Sequence, residues 1–337
     1  MSPDARVTVY VEGRTLSVSN LDKVLYPDHG FTKGEVIDYY SRIAPVLLPH
    51  LAGRPVTLRR YPNGVDAPSF FEKNAARNAP EWMRTVRLPT PGSTKSRDVT
   101  DFVLIDDLPG LVWSANLAAL ELHTPMWRVD DDGTPAHPDL LVFDLDPGPP
   151  ADIVTCCEVA VLIRERLAAD GLQACPKTSG SKGMQLYVGL DGAAGWRDVH
   201  GYARTIAQEL EKAHEKLVVS SMRKTLRGGK ILIDWSQNNA AKTTVTVYSL
   251  RARAHPTVST PITWDEVEAC TSAEQLRFTA DQVLDRVRSG PGRTAGKGRG
   301  KGNGGGKGNS GGKGNGANKG YDGFAAVLSA RQPLPTT

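Results

Sequence analysis

The sequence predicts a mixed helix-and-sheet domain of the α/β or α+β class. Segments with apolar residues at helical spacing alternate with short apolar runs that are typical of buried strands. The chain has 337 residues, of which 39% are apolar, enough for one large domain or two ordinary ones. Because residues 1–287 contain no long low-complexity break, we expect one compact unit with two lobes.

The first half of this unit shows helix and strand signals in turn. Thr32 and Glu35 form a capping box, and the helix after it is expected to run to about Pro49. The segment RPVTLRRYP that follows is predicted to be a strand. The apolar segment LVWSANLAALEL, residues 111–122, is predicted to be a second helix.

The second half predicts a buried sheet with helices against it. The apolar run DLLVFDLDPG, ended by Pro147 and Gly148, is typical of a buried strand. Residues 151–170 are predicted to form a helix closed by Gly171. Two more strands are expected at MQLYVGL and GKILIDWS, with a helix over about 198–216 between them.

Three carboxylates are the strongest chemical signal. Asp144 and Asp146 are two apart on a predicted strand and therefore share a face, and Asp234 ends another strand. Neighbouring anions repel each other, and a divalent cation is the usual reason to tolerate them. Together they could hold two Mg²⁺ or Mn²⁺ ions about 3.5–4 Å apart, as in nucleotidyl transfer. The DxD pattern alone is more often a solvated strand end than a metal site.

The segment TSGSKG, residues 178–183, is a candidate phosphate site. It is expected to follow a helix and precede a strand, where backbone N–H groups can cradle phosphates beside the charge of Lys182. The P-loop pattern is absent, so an ordinary polar turn is the alternative interpretation.

Basic and aromatic residues near the N-terminus suit a nucleic-acid strand, with phosphates on the cations and a base on a ring. They are Lys23, Lys33 and the pair Phe70 and Phe71. Since adjacent strand residues alternate in direction, we expect one phenylalanine to be buried and the other free. His123 could be a general acid, a phosphate contact or a core histidine.

The C-terminal region is different in composition. Residues 289–320 carry seven basic residues, no acidic residue and fifteen of the 34 glycines, whereas the rest has 34 basic against 37 acidic residues. We expect a disordered linker over 288–320, either a cationic arm for polyanions or a plain solubilising spacer. The short apolar segment within 321–337 could be a docking peptide or have no role.

Other protein classes are excluded by the sequence. No apolar run reaches the roughly 18 residues of a membrane-spanning helix, and the N-terminus lacks a signal-peptide pattern. The four cysteines show no CxxC pair, which argues against a zinc site. We expect a cytoplasmic, nucleoid-associated protein that binds no membrane.

Many ordered motifs together resemble the polymerase domain of bacterial DNA ligase D, a branch of the archaeo-eukaryotic primase superfamily. They cover about residues 14–287 and are SNLDKVLYP, FTKGEVIDYY, GRPVTLRRYPNG, FFEKNA, LELHTP, LVFDLDPG, TSGSKG, GKILIDWSQN, KTTVTVYSLRAR and HPTVSTP. Because no ligase or phosphoesterase module accompanies them, we expect a stand-alone form.

The resemblance implies a fold and an activity. The fold is α+β, an archaeo-eukaryotic primase-type catalytic core with an RRM-like sheet and a smaller N-terminal α/β part. The activity is template-directed addition of rNTPs or dNTPs to a primer 3′-hydroxyl, at DNA ends or short gaps with a downstream 5′-phosphate, in non-homologous end joining or related repair. Two Mn²⁺ or Mg²⁺ ions are the implied cofactors. Ku and a DNA ligase are implied partners of a monomer that could pair on synapsed ends.

The resemblance also implies roles for individual residues. The metal-binding and catalytic triad is Asp144, Asp146 and Asp234. The contacts to the incoming nucleotide are His123, Ser179, Lys182, Arg227, Gln237 and Arg251. The 5′-phosphate pocket is Asn20, Lys23 and Lys33, and Phe70 and Phe71 stack on DNA.

One position departs from the family pattern. The motif SGSKG is commonly followed by an apolar residue and His, whereas Gln185 stands here after Met184. Glutamine cannot titrate or carry a positive charge, so nucleotide affinity or metal preference is expected to differ. A non-catalytic DNA-end-binding scaffold is the main alternative, and a DxD phosphatase and a metal-dependent nuclease are weaker ones.

Overall fold

The structure is a computed structural model that describes residues 6–90, 98–290 and 321–335. The strands, numbered in chain order, are β1 (Arg6–Val11), β2 (Arg14–Ser19), β3 (Val24–Tyr26), β4 (Phe31–Thr32), β5 (Pro55–Arg60), β6 (Phe70–Glu72), β7 (Thr85–Pro89), β8 (Val99–Leu104), β9 (Ala119–Thr124), β10 (Leu140–Pro147), β11 (Cys175–Thr178), β12 (Met184–Gly189), β13 (Val218–Val219), β14 (Ile231–Asp234), β15 (Thr244–Val245), β16 (Leu250–Ala252) and β17 (Pro256–Val258). The helices are α1 (Lys33–Leu51), α2 (Leu108–Asn116), α3 (Ile153–Ala169), α4 (Trp196–Ala213), α5 (Trp264–Glu268), α6 (Ala280–Ser289) and α7 (Ala325–Ser329), with 3-10 turns at Lys224–Leu226, Trp235–Gln237 and Ala273–Leu276.

A five-stranded sheet in the order β11-β12-β10-β14-β13 forms one lobe. Its central strand β10 runs antiparallel to both β12 and β14. Leu141, Phe143 and Leu145 of β10 pack in one core with α3 and α4, whereas Leu140 and Val142 join the other core. Burial of both faces explains the unbroken apolar run that the sequence shows here.

A six-stranded sheet forms the other lobe. Its order is β15-β9-β5-β8-β7, and β6 pairs with β5 beside this path. Helix α1 begins at the predicted capping box, where the backbone N–H of Thr32 donates to the Glu35 carboxylate at 2.7 Å. The largely antiparallel sheets with separate helices confirm the predicted α+β class.

A buried ion pair joins the two lobes. The guanidinium of Arg54, which precedes β5, donates to both carboxylate oxygens of Asp139 at 2.8 and 2.6 Å, and Asp139 precedes β10. Arg128 donates to the same carboxylate at 2.9 Å. Although burial alone would raise the pKa of Asp139, the two guanidinium groups hold it below its usual value. The pair therefore fixes the start of β5 against the start of β10.

The predicted helix over residues 111–122 is wrong in its second half. Helix α2 ends at Asn116, Ala118 takes a positive φ of 57°, and residues 119–124 form β9 between β5 and β15. Ala and Leu favour a helix locally, but pairing in the centre of a sheet outweighs that weak preference. Helix α4 also ends earlier than predicted, at Ala213 rather than about residue 216.

Residues 321–335 pack on the body of the protein. The Asp322 carboxylate accepts a hydrogen bond from the Tyr248 hydroxyl at 2.8 Å and lies 3.0 Å from His50 Nε2. The buried ring of Phe324 contacts the rings of Tyr187 and His50, with centroids 5.5 and 5.8 Å apart. The backbone N–H of Tyr321 donates to the carbonyl of Val287 in α6 at 2.7 Å. The linker predicted over 288–320 lies, from residue 291 onward, outside the described residues.

No helix in the described parts of the chain is long and apolar enough to cross a membrane.

Substitution Phe324→Ala is expected to lower the free energy of unfolding by about 3–5 kcal/mol, because it empties a buried aromatic site. Chemical denaturation followed by tryptophan fluorescence measures this change. Tyr321→Ala is the control, since the Tyr321 side chain is 49% exposed and its loss should cost far less. Equal effects of the two substitutions would show that the segment does not dock as described.

Candidate active site in the cleft between the sheets

The three predicted carboxylates lie on one face of the five-stranded sheet. Asp144 of β10 is directly opposite Asp234 of β14, and Asp146 follows two residues later on the same face. Burial, then the charges of Asp146 and Asp234, raise the pKa of Asp144 to about 7. Burial and the charge of Asp234 also raise the pKa of Asp146. The carboxylates therefore repel one another, which a bound cation would relieve.

The carboxylates are held by the protein's own donors. Asp234 accepts hydrogen bonds from the backbone N–H and hydroxyl of Ser236 at 3.0 and 2.6 Å, and from the Gln237 amide at 2.8 Å. Asp144 lies directly opposite Gln185 in the β10–β12 pairing, and Gln185 lowers its pKa. Within the described residues, no group of three or more Asp, Glu, His or Cys side chains is arranged to hold a metal ion as it stands. The donor types suit Mg²⁺ or Mn²⁺, but Asp234 would have to exchange a protein donor for the cation.

The Gly/Ser turn joins two strands of a hairpin, β11 and β12, and does not follow a helix as the sequence predicted. The short strand β11 was missed because Pro176 and Lys177 are poor strand signals. The Ser179 hydroxyl accepts hydrogen bonds from the backbone N–H groups of Ser181 and Gly183 at 3.2 and 3.3 Å, and Lys182 is exposed. A Cβ atom at Gly183 would lie 2.0 Å from the Leu145 carbonyl oxygen, so only glycine lets the turn approach β10 this closely.

A buried glutamate organises the opposite side of the cleft. Glu121 of β9 is 1% exposed. Its carboxylate accepts hydrogen bonds from Arg251 Nε at 3.2 Å and Arg59 Nη1 at 3.4 Å, and it lies 3.0 Å from His123 Nε2. Burial alone would raise the pKa of Glu121, but the hydrogen bond from His123 and the charge of Arg251 hold it well below its usual value. Arg251 also donates to the Ser179 carbonyl at 2.6 Å, so this glutamate links two predicted nucleotide contacts to the turn.

Sequence reasoning missed Glu121. Its signal was a charged residue two before His123 within the otherwise apolar run LAALEL, where an unpaired carboxylate would be costly to bury. His123 itself is 13% exposed, and burial lowers its pKa despite the nearby glutamate. His123 is therefore largely buried, as a core histidine would be, but its ring still lies at the cleft.

Arg227 lies near the carboxylates, and one of its N–H groups has no hydrogen-bond partner among the described residues. Its Nη2 donates to the Met222 carbonyl at 2.7 Å, while its buried Nε has no hydrogen-bond partner within the described residues. Its charge lowers the pKa of Asp146. A buried donor without a partner is costly in a finished site and is typical of one that a ligand completes.

The predicted 5′-phosphate residues form a basic cluster on the six-stranded lobe. Asn20 is exposed, with a positive φ of 56°, and its carbonyl accepts the backbone N–H of Lys23 at 3.1 Å. The buried ammonium of Lys33 donates to the Ser19 carbonyl at 2.6 Å. Burial and the charges of Lys23 and Arg60 lower the pKa of Lys33 to about 8. Because these cations repel one another, an anion would stabilise the cluster.

Phe70 and Phe71 are both exposed, 44% and 48%, so the expectation of one buried ring is wrong. They lie on β6, which pairs only with β5 within the described sheets, and neither face of this short strand is covered. Arg60 lies 5.2 Å from the Phe70 ring and Arg59 lies 5.1 Å from the Phe71 ring. The rings therefore extend in two directions, one beside the basic cluster and one beside His123, whose ring is 5.5 Å from Phe71.

Comparison with known proteins matches this chain to one family. Residues 32–293 match the model of the LigD primase-polymerase domain. The chain belongs to the LigD primase-polymerase family. This confirms the resemblance predicted from the motifs, and with it the predicted enzyme type, a nucleotidyltransferase of the DNA polymerase class. Enzymes of the LigD primase-polymerase family depend on a metal.

Individual relatives agree with the family match. The multifunctional non-homologous end joining protein LigD of Mycolicibacterium smegmatis is 48% identical over 270 residues, which cover 80% of this chain and 34% of that protein. The bifunctional LigD of Bacillus subtilis is 31% identical over 274 residues, covering 81% of this chain and 42% of that protein. This chain thus spans about a third to two fifths of these LigD proteins.

A solved structure supports the fold of the LigD primase-polymerase family. The polymerase domain from Mycobacterium tuberculosis ligase D, in complex with DNA, matches with a TM-score of 0.75 and 44% sequence identity. The match covers 81% of this chain and 94% of that domain. It confirms the predicted α+β primase-type architecture.

Substitution Glu121→Gln is expected to lower the free energy of unfolding at pH 7 by roughly 3–5 kcal/mol, because it leaves buried cationic partners without their anion. The depressed pKa of Glu121 means that its ionisation stabilises the fold above the unfolded value of about 4.5, and this contribution is lost as the pH falls below it. Urea denaturation at several pH values should therefore show the difference between the two proteins shrinking in acid. A constant difference would contradict the ionic role of Glu121.

Proposed function

We propose that this chain is a template-directed primase-polymerase that adds rNTPs or dNTPs to a primer 3′-hydroxyl at DNA ends or short gaps. The observation that carries the proposal is the placement of Asp144, Asp146 and Asp234 on one sheet face near Arg227, whose buried Nε has no partner among the described residues. A carboxylate cluster next to free cationic donors suits a metal–triphosphate ligand better than a phosphoester substrate alone.

Asp144, Asp146 and Asp234 would hold two divalent cations, Mn²⁺ or Mg²⁺. When bound, such ions lower the pKa of the primer 3′-hydroxyl and neutralise charge on the leaving pyrophosphate. The chain's part is to gather the three carboxylates at the ends of β10 and β14. Gln237 and Ser236 hold Asp234 until it turns toward a cation.

The nucleotide would lie between the sheets. Lys182 projects from the hairpin turn as an exposed charge, while Arg251 is fixed by Glu121 and by the Ser179 carbonyl. Fixed cations orient a triphosphate without reorganising during the reaction. His123, held by Glu121, would contact the same ligand from the opposite sheet.

The downstream DNA strand would enter over the six-stranded lobe. Lys23, Lys33 and Asn20 would bind its 5′-phosphate, and Phe70 and Phe71 would stack on exposed bases. A role on DNA is supported by the relatives, which are non-homologous end joining proteins, and by the structural neighbour, which was solved in complex with DNA. We propose that the chain acts in non-homologous end joining or related repair, with Ku and a DNA ligase as partners.

Substitution Asp144→Ala is expected to abolish primer extension on a gapped duplex, with a loss of at least about a thousandfold, because the cations lose a shared ligand. Binding of the same duplex, measured by fluorescence anisotropy, should stay unchanged because the basic cluster lies on the other lobe. Near-normal extension by the variant would contradict the metal assignment. DNA binding without extension by the unmodified chain, with either metal, would favour the scaffold alternative.

Preference for a 5′-phosphate over a 5′-hydroxyl in the gap is expected to fall as the pH rises from 7 to 9. A phosphate favours the protonated form of Lys33, whose pKa of about 8 means that it loses its charge over this range. In the control Lys33→Arg the guanidinium stays charged, so the preference should remain constant with pH. Competition between the two duplexes for binding, measured at each pH, gives the preference of the unmodified protein and of Lys33→Arg. The same pH dependence in both proteins would exclude Lys33 as the phosphate ligand that titrates.

A further inference from the structure

Four side chains form one row across the five-stranded sheet. Lys177 of β11 is opposite Gln185 of β12, Gln185 is opposite Asp144 of β10, and Asp144 is opposite Asp234 of β14. Residues that are directly opposite in neighbouring strands share a face of the sheet. The row therefore leads from a buried lysine to two of the proposed metal ligands, with Gln185 between them.

The lysine at the end of the row is completely enclosed. Lys177 is 1% exposed, and its Nζ lies 2.5 Å from Gln185 Oε1, 2.7 Å from Ser259 Oγ and 3.1 Å from the Val245 carbonyl. An ammonium group has three donors and no acceptor, so these partners use all of its hydrogen bonds. Ser259 in turn donates to the Thr178 carbonyl at 2.9 Å, which leaves its lone pairs for the lysine.

This environment fixes which way the Gln185 amide faces. As an ammonium group Lys177 can only donate, and the carbonyl oxygen of Gln185 faces it, which leaves the amide nitrogen on the side of Asp144. The Asp144 carboxylate lies directly opposite Gln185 in the β10–β12 pairing, and Gln185 lowers its pKa. Gln185 is 2% exposed, and turning its amide over would cost the buried Lys177 ammonium one of its three partners.

We propose that Gln185 is a positioning residue that holds the Asp144 carboxylate toward the metal site, and that Lys177 anchors Gln185 in the orientation required. The inference rests on the proposed function, since it assumes that Asp144 binds a cation. Hydrogen bonds to a ligating carboxylate fix its orientation, and their loss typically lowers metal affinity about 10–100-fold. A neutral amide does this without adding a charge that would repel the cation or the carboxylate. Gln185 thus acts on its strand neighbours, Lys177 and Asp144.

The decisive measurement is Mn²⁺ binding to the full chain without DNA or nucleotide, followed by the loss of the electron paramagnetic resonance signal of free Mn²⁺. Gln185→Leu keeps a similar volume but removes the hydrogen bond from Lys177 and the amide opposite Asp144, and we expect a 10–100-fold weaker affinity. Binding of gapped DNA should not change. The Mn²⁺ concentration for half-maximal primer extension should rise by the same factor, with the rate recovering at saturating metal. Unchanged Mn²⁺ affinity in a folded Gln185→Leu protein would overturn the proposal.

Two further variants test the row itself. Tyr187→Phe is the matched control, since it removes a buried hydrogen bond of the same strand and face, from Tyr187 to Thr244 at 2.5 Å, and should leave Mn²⁺ affinity unchanged. Lys177→Met should weaken Mn²⁺ binding, and the double variant Lys177→Met/Gln185→Leu should bind no more weakly than Gln185→Leu alone. Multiplied losses would show that Lys177 acts independently of Gln185 and would overturn the anchoring role.

The Mn²⁺ measurements distinguish a failure of this inference from a failure of the proposed function. If the unmodified chain binds no Mn²⁺ and Asp144→Ala changes nothing, the proposed function fails. If the unmodified chain binds Mn²⁺ in a manner that Asp144 controls, while Gln185→Leu binds equally well, only the inference fails. Should Gln185→Leu not fold, Gln185→Asn replaces it, because the shorter amide cannot span Lys177 and Asp144 and should lose affinity in the same way.

Discussion

The antiparallel pairing of β10 with β12 and β14 is the constraint on which the candidate site depends. Its register places Gln185, Asp144 and Asp234 in one line across the sheet. A shift by one residue in either pair would turn the alternate side chains, which are apolar, toward the cleft. Leu141, Phe143 and Leu145 prevent that shift because they are buried beneath α3 and α4. The helical core therefore sets the geometry of the carboxylates on the opposite face.

The cleft holds negative charge on one side and positive charge on the other. One sheet presents carboxylates, and burial followed by their mutual repulsion raises the pKa values of Asp144 and Asp146. On the other side are two guanidinium groups, of Arg59 on β5 and of Arg251 on β16, that are held by the deeply buried Glu121. Since each set is held by its own lobe, the Arg54–Asp139 pair that joins the lobes also fixes the distance between opposite charges. This arrangement suits a ligand that carries both phosphates and metal ions.

The basic and aromatic surface follows from an edge strand. Both aromatic rings of the short strand β6, which pairs only with β5 in the described part of the chain, are exposed, and Arg59 and Arg60 of β5 lie against them. One short strand thereby connects the Lys33 cluster with the cleft at His123. The same physical feature, an uncovered edge, serves two proposed contacts with DNA.

The sequence by itself determined the family, the α+β class, the helix α1 with its capping box, and the carboxylates on β10. These depend on local patterns of apolar and polar residues and on motif identity, which the chain carries without reference to its fold. Only the tertiary structure decided the strand β9, the docking of residues 321–335, the exposure of both Phe70 and Phe71, and the links from Glu121 and Lys177 into the site. Those features depend on contacts between residues far apart in the chain. Sheet pairing there outweighs local preference, and a buried charge is tolerated only where distant partners meet it.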